Sequence, residues 1–368
     1  MSDTPSFGAR AGDEDLSPPP VTRRTMTLGV SLLVSTLLLA GLAVLPAPYA
    51  VRTPGPTEDT LGAQGDVPLI EIEGAETFPA SGELLLTTVS VAGGPGYPAN
   101  LTQVVQGWFQ TSRSVGPVEE VFPRDRTREE TEQQGQAEMV SSQENATVAA
   151  LTELGYEVPA TLTVAGAVEG TGSDGVVEEG DVITAMNGAQ VLSYEDLIDD
   201  LALVTPGDEV TLAVERDGEE LDLTVTTGDN DGSALLGVYI DPAFDFPVDV
   251  TIQIDDIGGP SAGMMFALGI IDLLTPEDEA GGAIIAGTGT IGVEGNIGPI
   301  GGIRQKLYGA LRDDATWFLV PSANCPEVDG NVPDGLQVAR VATLSEARAA
   351  VTAIGAGEGD RLPTCSTD

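Results

Sequence analysis

The sequence predicts an α/β (α+β) protein with a second, strand-rich module and one N-terminal transmembrane helix. Three observations carry this. Residues 229–355 alternate strand-length apolar runs with helical ones at short spacing. Residues 158–228 switch to short strands separated by Gly- and Asp-containing turns. Residues 25–50 contain no charged residue at all.

Residues 1–24, with SPPP at 17–20, read as a disordered cytoplasmic tail. Arg23 and Arg24 then precede an anchor at 25–50, whose heart, MTLGVSLLVSTLLLAGLAVL, has the ~20 residues that span hydrocarbon. The arginine pair would hold the N-terminus in the cytoplasm and place everything after the helix outside, at the cell membrane. A cleaved signal peptide is the rival reading, but the run is long for one and no clear A-x-A site follows. Residues 51–66 read as a linker. VPLIEIEG (67–74) and GELLLTTVSV (82–91) read as strands, and LTQVVQGWF (101–109) as a short helix. A polar stretch then leads into a helix at 137–155, where Met139, Val140, Ala146, Val148, Ala149 and Leu151 form one apolar stripe. Gly155 supplies its stop.

Within 158–228, TLTVAGAVEG reads as a strand, GVVEEGDVITAMNGAQV as two short strands and SYEDLIDDLALV as a helix. EVTLAVERDG and EELDLTVTT form a hairpin through Asp217-Gly218. LLGVYI and DVTIQI, beyond 228, read as strands leading to the helix AGMMFALGIIDLL (262–274). GAIIAGTGTI and TWFLVPS are strands around the helix GIRQKLYGALRD, and LQVARVA and LSEARAAVTAI close the domain. Residues 356–368 read as a flexible tail.

Fifty-eight acidic residues stand against 15 basic ones, a net charge of −43. That leaves no basic surface to neutralise phosphates, so nucleic acid is excluded as a general partner. Such acidity suits salty surroundings, where screening shortens self-repulsion; compositional drift would produce it equally. The chain has no histidine and two cysteines. A Ser-His-Asp triad, a His base and a Cys₄ zinc site are therefore impossible, and no cofactor is implied. Cys325 and Cys365 can form one disulfide in an oxidising compartment.

Lys306 is the one lysine among the 15 basic residues. A lysine becomes a base only when desolvation lowers its pKa, and Ile303, Leu307 and Leu311 give Lys306 apolar flanks. Arginine cannot do this chemistry, because its guanidinium stays protonated. An accident of composition on a solvated helix explains a lone lysine too. Ser261 lies in GGPSAG, where small neighbours admit a substrate backbone. Backbone groups at Gly259, Pro260 and Ser261, near a helix start, are candidates for stabilising an oxyanion. An ordinary serine N-cap fits the same place.

The pair DIGGPSAGMMF and AGTGTIGVEGNIGPIGGIRQKL resembles the proteolytic domain of Lon proteases. The resemblance implies that Ser261 is the nucleophile, that Lys306 is its base and that Thr288, in GTGTI, orients the lysine. FLVPSANCPEV and VARVATLSEARAAV extend it toward the C-terminus; GELLLTTVSV and MVSSQENATVAAL extend it upstream more weakly. Asp255 and Asp256 stand near where that family carries an acidic residue, separated from Ser261 by Ile257, two glycines and Pro260. GVVEEGDVITAMNGAQVLSYEDL with PGDEVTLAVERDG is similar to a PDZ domain of the bacterial protease-associated type, without a recognisable Gly-Leu-Gly loop. Together these imply one Lon-like protease domain, 67–157 and 229–355, holding a PDZ-like insert at 158–228. Leu307 follows the sole lysine, so the chain contains no G-x-x-x-x-G-K-[ST] and no ATPase of its own is expected. The expected protein is a membrane-anchored, ATP-independent serine endopeptidase. Its partners would be polypeptide substrates, unfolded or flexible and extracytoplasmic, recruited through the PDZ-like module. A hexameric ring is implied by the family alone. The alternative is a catalytically weak, PDZ-based scaffold at the membrane; a signal-peptidase-like enzyme would share the dyad but not these motifs.

Overall fold

The computed structural model describes residues 22–94, 97–122, 127–230, 232–255 and 257–365. The expected disordered tail thus lies outside the described residues up to residue 21, and so do residues 366–368 of the expected C-terminal one.

Helix α1 (Arg23–Val44) starts on a capping box made by Thr22 and Thr25. No helix among the described residues is long and apolar enough to cross a membrane. The expected transmembrane anchor is thereby corrected. The helix forms over 22 residues, with two arginines in its first turn and Thr27, Ser31, Ser35 and Thr36 among its apolar side chains. The single-pass topology, the cell-membrane localisation and the membrane as a partner rested on that span and are withdrawn with it.

Strand β1 (Tyr49–Asp59) occupies most of the expected linker. It pairs antiparallel with β2 (Glu83–Ala92) on one side and with Ser114–Pro117 on the other. Its Pro-Gly-Pro run reads in sequence as a breaker. In the sheet it is absorbed by an irregularity of register between Pro54 and Thr57, where a missing N–H is tolerated. Helix α2 (Arg128–Glu153) begins well before the expected residue 137, because Thr127 and Glu130 form a capping box at its start.

A second, antiparallel sheet is built from residues between 160 and 244. It contains Ala160–Ala167, Val182–Met186 and the hairpin Glu209–Arg216 and Glu219–Thr226. Asp217 and Gly218 turn the hairpin with φ of 54° and 82°, both in the region a type I′ turn requires. Leu162, Ile183, Met186, Leu197, Leu212 and Val225 form its core. The run LLGVYI, expected in the second protease segment, supplies β3 (Val238–Phe244), which pairs with Ala160–Ala167 at the edge of this smaller sheet. The module therefore extends beyond 228. Alternation identifies a strand but does not say which sheet will take it.

Asp181 in this module is fully buried and is held in a two-pronged pair by Arg216, at 2.6 and 2.7 Å. The guanidinium holds the Asp181 carboxyl below its ordinary value. Arg216→Met would leave that carboxylate buried without its cation. A loss of about 3 kcal/mol is expected, read as an earlier thermal transition of the smaller module by circular dichroism.

The chain then passes through a separate two-stranded sheet before it rejoins the main one. Asp249–Ile252 pairs with Ile70–Glu73, and α3 (Gly263–Leu274) comes next. Strand β4 (Ile284–Gly287) lies parallel to β2. After α4 (Ile303–Arg312) come β5 (Trp317–Pro321) and β6 (Gln337–Val341), both parallel additions, and the closing helix α5 (Leu344–Gly355). The sheet has six strands in the order β6-β5-β4-β2-β1 and Ser114–Pro117. Helix α3 is apolar but for Asp272 and is buried from Gly263 to Asp272, packing with Leu84, Leu86 and Leu319. On the opposite face, Ile303 and Leu307 of α4 pack on Leu85, Phe318 and Val320. The sheet is thus covered on both sides, and the helices carrying Ser261's neighbours and Lys306 approach one another at the ends of β4 and β2.

Residues 356–365 are not a free tail. The Arg340 N–H donates to the Pro363 carbonyl at 2.8 Å, and Cys365 is disulfide-bonded to Cys325.

Candidate active site

Ser261 lies just before α3, whose N-cap position is Ala262 and carries no side-chain cap. The serine hydroxyl is therefore not spent on capping. Its carbonyl instead accepts two hydrogen bonds, from the Gly289 N–H at 2.9 Å and from the Thr288 hydroxyl at 2.9 Å. Both donors come from the turn that ends β4. Close packing makes this turn possible: a Cβ at Gly287 would run into the sulfur of Met265 on α3.

Lys306 sits in the first turns of α4 and is 2% exposed. Its Nζ lies 2.8 Å from the Ser261 Oγ and 2.8 Å from the Thr288 Oγ1. Thr288 is fully buried. Burial lowers the Lys306 pKa from 10.5 to about 7, and no charged partner opposes that effect. Since the single Thr288 hydroxyl proton goes to the Ser261 carbonyl, Thr288 accepts from the lysine. A neutral amine donating to Thr288 still has its lone pair, and Ser261 Oγ is within reach of it. Three residues far apart in sequence thus form one connected group: hydroxyl, amine and orienting hydroxyl.

The expected backbone trio divides. Pro260 has no N–H, and the Gly259 N–H donates to the Gly135 carbonyl at 2.8 Å, so neither is available to an oxyanion. Among the described residues the Ser261 N–H has no partner. Asp255 is exposed, and its backbone N–H donates to the Gln64 side chain, away from the serine and lysine; Asp256 lies outside the described residues.

Other contributors were not visible as such in the sequence. Gly135, within α2, supplies the carbonyl that holds Gly259, and the close approach falls on Gly258, where a Cβ would lie 3.3 Å from the Gly135 backbone. A mid-helix glycine costs ~1 kcal/mol against alanine, and that was the available signal. A cleft of about 480 Å³ opens onto Ser261 and Lys306, walled by Thr88 to Val91 of β2, Met139 of α2 and Ile257. Strand β4 pairs with β2 no further than Leu86. Beyond it, the same side of β2 is an edge facing the cleft.

Residues 251–352 match the Lon protease (S16) C-terminal proteolytic domain, and residues 144–227 match a PDZ domain. The first match contains Ser261, Thr288 and Lys306; β1 and β2, which complete its sheet, lie outside it. The second starts inside α2 and stops before β3. Lon protease of Clostridioides difficile is 34% identical over 114 residues, which is 29% of this chain and 14% of that protein. Lon protease 2 of Herpetosiphon aurantiacus is 35% identical over 106 residues, 27% of this chain and 13% of that protein. The chain thus aligns with a small fraction of the length of these relatives. The PDZ domain of an SdrC-like protein from Listeria monocytogenes is 20% identical, covering 22% of this chain and 86% of that one at a TM-score of 0.21.

Proposed function

We propose that this chain is a serine endopeptidase in which Lys306 activates Ser261. The observation that carries the proposal is a buried, uncompensated lysine amine 2.8 Å from a serine hydroxyl that caps nothing. Neutral Lys306 takes the Ser261 proton as Oγ adds to a peptide carbonyl. The Ser261 N–H stabilises the oxyanion, and the ammonium returns the proton to the departing amine. Water, deprotonated by the same amine, then hydrolyses the ester and frees the serine. Thr288 keeps the amine on target by accepting one of its protons.

The free edge of β2 suits an extended substrate, which would add to it as a strand and lay its carbonyl across Ser261. Folded proteins cannot offer such a strand, so the substrates are unfolded or flexible segments. No step uses ATP. The Cys325–Cys365 bond suits oxidising surroundings. Recruitment through the smaller module would use the open edge of β3, a second place where a peptide can add as a strand. The hexameric ring rests on the family resemblance and is checked by solution mass.

The test is hydrolysis of casein by the full chain without nucleotide, beside Ser261→Ala. Turnover in the parent and a loss of at least about 10³-fold in the variant are expected. Equal turnover in both would defeat the proposal.

A further inference from the structure

Resting on the reading above, we infer that Asn324 is a positioning residue for Lys306, clamping the loop that launches α4. Asn324 lies in the single turn Ser322–Asn324, immediately after β5, and is 4% exposed. It touches none of the reacting groups. Its side-chain amide instead meets one peptide unit on both sides: Oδ1 accepts from the Ile300 N–H at 2.9 Å, and Nδ2 donates to the Ile300 carbonyl at 2.9 Å. Reciprocal bonding of this kind fixes both the orientation of the Ile300 backbone and which way the amide faces.

The two glycines after Ile300 give the clamp its effect. Gly301 lines the cleft, and Gly302 takes a left-handed φ of 73° to start the helix. The Gly302 carbonyl accepts from the Lys306 N–H at 3.2 Å. Gly301 and Gly302 have little stiffness of their own. Ile303 and Leu307 seat α4 on the sheet, and the hold on Ile300 fixes the flexible loop through which the helix starts. Asn324 is itself held from behind, since β5 runs through the interior of the sheet and Cys325 is tied to Cys365 with Cα atoms 4.9 Å apart. The clamp therefore connects the rigid sheet to the one element that carries the amine.

Misplacement of a catalytic group by about 1 Å is enough to cost about 10²-fold in rate. It would also let water reach a lysine that has no carboxylate beside it and whose basicity is set by burial alone. The two effects have separate signatures.

The measurement is the rate of covalent labelling of Ser261 by a fluorophosphonate at saturating reagent, from pH 5.5 to 9.5, on the full chain and on Asn324→Ala and Asn324→Asp. Asn324→Asp keeps the acceptor for the Ile300 N–H and loses the donor. Asn324→Ala is expected to lower the plateau rate by about 10- to 100-fold and to move the pH midpoint upward by at least one unit. Asn324→Asp, which sets a buried carboxylate oxygen against the Ile300 carbonyl, should shift both in the same direction and by at least as much. KM for a peptide substrate should change little. A variant that merely unfolds in part would lower the labelled fraction and leave the midpoint in place. Folded variants with the parent's midpoint and plateau would overturn the role of Asn324. A parent that is not labelled at Ser261 would overturn the dyad itself, and the role of Asn324 with it.

Discussion

Lys306→Arg is expected to abolish hydrolysis while the chain stays folded. The guanidinium keeps the positive charge but cannot be deprotonated, so Ser261 loses its base. It is also too broad for a pocket sized to an amine lying 2.8 Å from each of two hydroxyls. The loss should be at least about 10³-fold in kcat/KM, at the upper end of what general-base catalysis provides. The parent's own profile has a definite form. Activity requires the unprotonated amine, so it rises with pH through about 7 and levels off above 8, where the amine is neutral. A rise centred near pH 10 would mean that the lysine is solvated in solution. Activity retained by Lys306→Arg would assign the base to another group.

Lys306→Met is expected to unfold at a higher temperature than the parent, most clearly below neutrality. The amine has an ordinary pKa of 10.5 in the unfolded chain and about 7 in the folded one. Between those values the unfolded state binds more protons, so the parent gains stability as pH rises from 7 toward 10. Below pH 7 the native state has to hold a buried ammonium, and the full penalty applies. At ~1.36 kcal/mol per pH unit, lowering the pKa from 10.5 to about 7 amounts to at most about 5 kcal/mol. Methionine fills nearly the same volume without charge. The difference in melting temperature between variant and parent should thus be largest at pH 6 and shrink toward pH 10. A difference that does not vary with pH would show that burial does not tune this lysine.

The candidate dyad was readable in the sequence because its parts are chemically unusual. A sole lysine with apolar flanks, and a serine among residues too small to serve a core, stand out in a chain without histidine. Helices with a clear stripe and capping signals were readable too, as Leu101–Phe109 illustrates, falling where its nine-residue run predicts. Three things were not legible, each for a physical reason. Strand β1 contains Pro-Gly-Pro, and local signals cannot show that a register irregularity will absorb it. Strand β3 carries no mark of which sheet it joins. The Gly259 N–H looks available in sequence, but a carbonyl of α2 more than a hundred residues earlier already binds it. Span, sheet membership and hydrogen-bond occupancy are decided by neighbours distant along the chain.

The placement of β3 has a practical consequence for dissecting this protein. A deletion drawn at the edges of the recognisable run of turns and hairpins, 158–228, would remove Ala160–Ala167, the one strand among the described residues that β3 pairs with in this sheet. The seven residues Val238–Phe244 would then offer two unsatisfied rows of backbone donors and acceptors to other molecules. Such a truncated protein should aggregate for reasons unrelated to peptide recruitment. Cuts at 159 and 245 lift out the whole sheet instead, where the Asp245 N–H bonds to the Pro159 carbonyl at 2.8 Å. The two ends are adjacent there, so a short splice can close the gap and leave the remaining body intact.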